Sequence, residues 1–323
     1  MSRSLSTIER YEEVSKMLFR HCSNSNGDLF SPIEFLDFSI RNNTHLAAAT
    51  VRQYKSALAW YFEKNYPDLL EMATERLKDF TSKNKHTNSR RQKKKGYSDQ
   101  ELSVFLEFLF NKKSPNNLDD DVDIWENAYY TILAGSLTGL RPSEWLYSFL
   151  HYTDEKIFLI VKNGKATNGR AHGEFRSIDI TSLPPEDIQA IYKKIELTKF
   201  AILSGHYKSF KAYHKAVSGH LLRANDMLVP GAKKTFCAYS CRHQVTSNLK
   251  ASKLTPFEMG AILGHKSIET HRLHYLQKSR SGSTSPSLVK PSIEDVIAVI
   301  QLNPQRPKPL PNSNQAPTLL PPE

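Results

Sequence analysis

Three short segments carry side chains that together could act on a phosphodiester. Thr138-Gly-Leu-Arg-Pro-Ser-Glu144 holds Arg141, and Tyr239-Ser-Cys-Arg-His243 holds Arg242 and His243. Leu263-Gly-His265 opens a run that ends at Tyr275. Displacement at phosphorus builds negative charge on the non-bridging oxygens. A guanidinium fork binds two such oxygens at once, which a lysine cannot do. An imidazole such as that of His265 donates to the same oxygens. Tyrosine serves as nucleophile once nearby positive charge offsets its free pKa of about 10. The leaving deoxyribose oxygen needs a proton, which a lysine in a hairpin can supply.

Taken singly, each segment has a plainer reading. The arginine after Thr-Gly-Leu could cap a helix, Gly264-His265 could be an ordinary helix end, and Tyr275 could be a surface residue. What lifts the chemical reading is their conjunction in one order along the chain.

These groups need a scaffold. Residues 1–80 read as a small helical domain. Ser6 to Arg20 carries Ile8, Tyr11, Val14, Leu18 and Phe19 at helical spacing. Ser31-Pro-Ile-Glu34 is a helix start, with a capping serine and a proline in the first turn. A third helix begins near Ala49 or Thr50, with Val51, Tyr54, Leu58 and Tyr61 on its core face, and a fourth runs from about Asp68 to Phe80. Tyr54, Trp60 and Tyr61 read as core rather than base-stacking residues.

Residues 81–97 read as a flexible basic linker. Lys83, Lys85, Arg90, Arg91, Lys93, Lys94 and Lys95 face no acidic residue there. Arg90, Arg91, Lys93, Lys94 and Lys95 are the expected phosphate contacts.

The second domain is expected over 98–278, opening with the capping box Ser98-Asp-Gln-Glu101. Trp125 to Leu137 reads as a buried helix ending before Thr138-Gly139. Lys156–Val161 and Phe175–Ile180 read as the strands of a long hairpin, with turn residues at Asn163-Gly164 and Asn168-Gly169. Further helices are expected at Pro184–Leu197, Ser209–Arg223, Tyr239–Ala251, Pro256–Leu263 and Glu269–Gln277. Residues 279–323 read as a flexible, Pro-rich tail with a possible short docking helix at 292–301.

Composition narrows the partners. The chain has 323 residues and a formal net charge of +11. Such a surplus favours a polyanion through phosphate neutralisation, although a ribosomal or merely basic soluble protein would share it. Cys22, Cys237 and Cys241 form no disulfide framework and no CxxC pair, so neither a metal nor any other cofactor is expected. No apolar run reaches the roughly 18 residues of a membrane span, and no membrane partner is expected. A cytoplasmic location, nucleoid-associated in a bacterium, is expected.

The three boxes, in this order and with a hairpin between the first two, resemble the tyrosine recombinase (phage integrase) family across residues 135–276. The resemblance implies a mainly α fold with a small β-hairpin or sheet. A helical core-binding domain would precede an α+β catalytic domain. It implies that Arg141 and Arg242 clamp the scissile phosphate, that His265 hydrogen-bonds it, and that Tyr275 becomes the 3′-phosphotyrosine. His243 and Glu144 would support the pocket. Lys162 and Lys165 are alternatives for the proton donor. Lys165 is preferred because Asn163-Gly-Lys-Ala-Thr-Asn-Gly-Arg170 resembles the extended hairpin of some integrases, and Arg170 and His172 of that loop could also touch DNA. The implied activity is site-specific recombination and integration of double-stranded DNA by a homo-tetramer.

Two positions depart from the family pattern. Tyr239 stands where a histidine is usual, three residues before Arg242. The step from His265 to Tyr275 is one residue longer than usual, with His274 where the tyrosine often falls. These departures keep open a catalytically silent DNA-binding protein. A type IB topoisomerase-like enzyme shares the chemistry and is the remaining alternative.

Overall fold

The structure, a computed structural model, describes residues 3–26, 30–83, 92–113, 122–164, 166, 171–267 and 285–304. The chain divides into two compact units, Met1–Gln92 and Lys93–Glu323. It is mainly α-helical, with a four-stranded sheet and a second sheet of two two-residue strands among the described residues.

The first unit packs α1 (Leu5–Asn26), α2 (Pro32–Asn43), α3 (Ala48–Asn65) and α4 (Leu70–Lys78). Ser31 caps α2 in a reciprocal capping box with Glu34. Val14, Leu18 and Cys22 lie one turn apart on α1 and are buried with Phe35, Leu36, Leu58 and Phe62. Burial of Cys22 explains why α1 runs past Arg20. Trp60 is buried, and Tyr54 and Tyr61 pack against the same core.

The second unit starts five residues earlier than the capping box at Ser98 suggests. Tyr97 is buried, its amide donates to Gln244 Oε1 (3.1 Å), and its hydroxyl lies 2.8 Å from Ser136 Oγ. Lys94 joins the same unit. Its amide donates to the Thr235 carbonyl (2.9 Å), and its ammonium pairs with Glu101 and lies over the Phe236 ring. Within the stretch expected as a linker, Lys94 and Tyr97 are therefore held by the second unit. Arg90 and Arg91 lie outside the described residues.

Six helices and the sheet follow: α5 (Asp99–Asn111), α6 (Ile124–Thr138), β1 (Phe149–Tyr152), β2 (Ile157–Lys162), β3 (Phe175–Asp179), α7 (Pro185–Leu203), α8 (Phe210–Leu228), α9 (Ala238–Ala251) and α10 (Pro256–Leu263). The chain closes with β4 (Lys290–Pro291) and α11 (Ile293–Leu302). The sheet is antiparallel in the order β1-β2-β3-β4, with Leu159 opposite Ile178 and Ile178 opposite Pro291. β1 was not expected: three of its four side chains are exposed, so it lacks the alternation that marks a strand. α7 and α8 run longer than expected because Thr198 and Ala201, and Ala224 and Asn225, continue their buried faces.

Two cores hold the unit. Leu159, Val161, Ile178 and Ile180 of the sheet side pack on Ile191 and Ile195 of α7, Val245 and Leu249 of α9, and Ile262 and Leu263 of α10. Phe105, Leu109, Ile132, Tyr213, Val217 and Phe236 form the other.

The stretch expected as a tail is partly built into this unit. The Ser287 amide donates to Ser252 Oγ (2.7 Å), Val289 is buried in the sheet core, and Lys290 and Pro291 pair with Asp179 and Ile178. α11 buries Val299, and Asn303 Nδ2 donates to the Lys266 carbonyl (2.6 Å). Once Val289 is in the core, the following residues lie along β3 and complete its edge. Ile293, Ile297 and Ile300 remain exposed.

Candidate active site

Arg141 and His265 are delivered by the same local device. α6 ends on Gly139 and α10 on Gly264, both left-handed, with φ of 66° and 65°. Each glycine stops its helix and turns the chain inward, so that Arg141 and His265 are both buried. Gly264 has a second reason to be glycine. A Cβ there would run into Asn163 Oδ1 and come within 2.8 Å of Arg176 Nη1.

Arg242 stands in the first turns of α9 and is tied to both helix ends. Its Nη1 donates to the Gly139 carbonyl (2.8 Å), and its Nη2 donates to the Leu263 carbonyl (2.6 Å). Nη2 also lies 3.1 Å from His265 Nε2. Two arginines and a histidine from three distant segments thus meet at one place.

Glu144 sits beneath them with no exposed surface. Its carboxylate accepts from Arg141 Nη1 (2.6 Å), the Arg141 amide (2.7 Å), Arg176 Nη2 (2.9 Å) and the Gly164 amide (3.3 Å). Arg242 Nη1 lies 4.0 Å from Oε2. Burial alone would raise the Glu144 carboxyl, but Arg176, Arg242 and Arg141 hold it well below the usual carboxylate range. It is therefore an anion near neutral pH. Arg141 and Arg176 share this one charge, so the three side chains carry a net charge of +1 (two positive, one negative) in a buried place. Such a place favours an anionic ligand.

The supporting residues fall as follows. Tyr239 lies on the first turn of α9 with its side chain partly exposed, and Lys93 Nζ stands 4.9 Å from its ring centroid. His243 is half-buried. Burial, then Lys95, Arg242 and Lys93, push its imidazole below the ordinary value, which favours the neutral form near pH 7. Lys93 and Lys95 are exposed beside these residues. Lys162 Nζ pairs with Glu174 Oε1 (3.2 Å) above the Tyr147 and Phe175 rings. His172 does not face solvent: it is buried, with Nε2 2.9 Å from Asp295 Oδ1 on α11. Lys165, Arg170 and Tyr275 lie outside the described residues. Among the described residues no group of three or more His, Cys, Asp or Glu side chains could hold a metal ion, and no helix is long and apolar enough to cross a membrane.

Sequence reasoning missed Arg176. The signal was available in the strand phase. Residues 176, 178 and 180 alternate with Phe175, Ser177 and Asp179, and Ile178 and Ile180 are core residues. An arginine in step with two core isoleucines must point inward, and a buried guanidinium needs an acidic partner.

No family model matches the chain, and no curated protein does. Among solved structures, the crystal structure of XerH site-specific recombinase bound to difH substrate in a pre-cleavage complex is similar over 83% of this chain and 75% of that chain. The identity is 15% and the TM-score 0.49.

Proposed function

We propose that this chain cuts and rejoins double-stranded DNA through a 3′-phosphotyrosine intermediate, as a site-specific recombinase. The observation that carries this reading is the buried meeting of Arg141, Arg242 and His265 around Glu144. The resemblance of the three sequence boxes to the tyrosine recombinases supplies the nucleophile.

Arg141 and Arg242 bind the non-bridging oxygens of the scissile phosphate, and His265 donates to one of them. The Tyr275 hydroxyl oxygen bonds to phosphorus as the bond from phosphorus to the 5′-oxygen breaks. That 5′-oxygen takes a proton from a hairpin lysine, and the phenol's own proton passes to water. The pairing of Lys162 with Glu174 supports Lys165 as the donor. The phosphotyrosine keeps the bond energy, so the reverse step rejoins DNA without nucleotide or metal. Lys93 and Lys95 add phosphate contacts beside α9, with Arg90, Arg91 and Arg170 as further ones. By the family resemblance, four protomers act on two sites.

The test is a suicide-substrate assay on duplex DNA from the sequence flanking the gene. Wild type is expected to form a covalent adduct and Tyr275→Phe to form none. Arg141→Ala and Arg242→Ala should bind DNA but lose about 10²–10³-fold in cleavage rate. Tyr239, which replaces a histidine of the family pattern, favours a second reading: a catalytically silent DNA-binding protein. Binding by wild type without any adduct would select that reading.

A further inference from the structure

We infer that Arg176 is the positioning residue of this site, acting through Glu144 and never touching DNA; the inference rests on the strand-cleavage reading. Arg176 is 1% exposed, and its donors are spread over three segments. Nε donates to the Ile262 carbonyl (2.8 Å), Nη1 to Asn163 Oδ1, and Nη2 to Glu144 Oε2 (2.9 Å), with Nη1 3.3 Å from Glu144 Oε1.

Each acceptor stands beside a different reacting element. Ile262 lies in the last turn of α10, just before Gly264 and His265. Asn163 stands between Lys162 and Lys165 at the root of the hairpin, and its Nδ2 donates to the Gly173 carbonyl (2.9 Å) across that root. Glu144 holds Arg141 by side chain and amide. One rigid planar group therefore fixes the histidine loop, the lysine hairpin and the first arginine relative to one another. Gly264 has no room for a side chain because Asn163 and Arg176 press against it.

Arg176 also decides what Glu144 attracts. With Arg176 gone, one full negative charge is left to Arg141 and to Arg242, whose Nη1 is 4.0 Å away. The carboxylate then competes with the scissile phosphate for the guanidinium groups meant to bind it. Removing Glu144 as well lifts that competition. A merely structural role predicts additive or worse damage in the double variant. Positioning by charge predicts partial restoration.

The experiment compares wild type, Arg176→Met, Glu144→Gln and the double variant as full-length protein. It uses single-turnover adduct formation at saturating suicide DNA, the DNA Kd, and the Tm shift given by inorganic phosphate. Arg176→Met is expected to cut about 100-fold more slowly with Kd changed less than about threefold, since most affinity comes from surface phosphate contacts. The double variant should regain about tenfold, and the phosphate-induced Tm shift should follow the same order. A double variant no faster than Arg176→Met, or a wild-type rate in Arg176→Met, overturns the inference. If wild type forms no adduct but its phosphate-induced Tm shift is lost in Arg176→Met and regained in the double variant, the cleavage reading fails while the positioning role stands. Should Arg176→Met not fold, Arg176→Lys keeps the charge but cannot span three acceptors. It is expected at least about tenfold slower at unchanged Kd, and a wild-type rate overturns the role.

Discussion

Lys194 is a charged residue in surroundings that fit its charge poorly. It is buried on α7, its Nζ donates to Tyr213 Oη (2.8 Å), and that hydroxyl donates to Asn127 Oδ1 (2.6 Å). Burial pushes its pKa from 10.5 down to about 7. Between those values the unfolded chain binds the proton and the folded chain does not, so stability rises with pH over that window. Below pH 7 the folded state carries the buried ammonium at its highest cost. Lys194→Met should therefore raise Tm, most at pH 6 and little above pH 10.5. A pH-independent difference in thermal unfolding would contradict this. Other residues differ in how well the sequence showed them. Arg141, Arg242 and His265 were legible as candidates because each sits in a short box, two of them punctuated by Gly139 and Gly264. Arg176 was not, because a single arginine in a strand looks like a surface residue until its phase with Ile178 and Ile180 is counted.

Among the elements, the last strand and helix show where local pattern stops informing. Ser292 and the following Ile293, Val296, Ile297 and Val299 announce a helix, and α11 forms there. Nothing announces β4, since two residues including a proline have no alternation; its place is set by Val289 entering the core. Asp295 then locks the arrangement. Its Oδ2 accepts the Ser177 amide of β3 (2.6 Å), its Oδ1 lies 2.9 Å from the His172 ring, and Ser292 Oγ lies 2.9 Å from Oδ2. Burial by itself would raise the Asp295 carboxyl, but His172, Ser177 and Ser292 keep it lowered. Asp295→Ala leaves the Ser177 amide and His172 without their acceptor, at a cost of about 1–3 kcal/mol. Urea unfolding measures that cost. Amide hydrogen exchange should show protection lost first over residues 286–303.

At the scale of the whole molecule, the net charge of +11 makes salt the simplest probe of the proposed DNA partner. If several phosphates are neutralised, affinity should fall by about 10³ or more between 50 and 200 mM salt, with a linear log–log slope. Fluorescence anisotropy on a labelled duplex reads this directly, and a flat profile would remove DNA as the partner. Net charge was plain in the sequence; the single carboxylate serving Arg141 and Arg176 was not, because its partners come from distant segments. Arg242 spans the Gly139 and Leu263 carbonyls, which are the exits of the very helices that present Arg141 and His265. These three side chains are consequently parts of one stiff frame. On the proposed strand-cleavage reading, a frame tied in this way is set before substrate arrives, and completing a reactive complex would fall to the approach of the duplex and of the attacking hydroxyl.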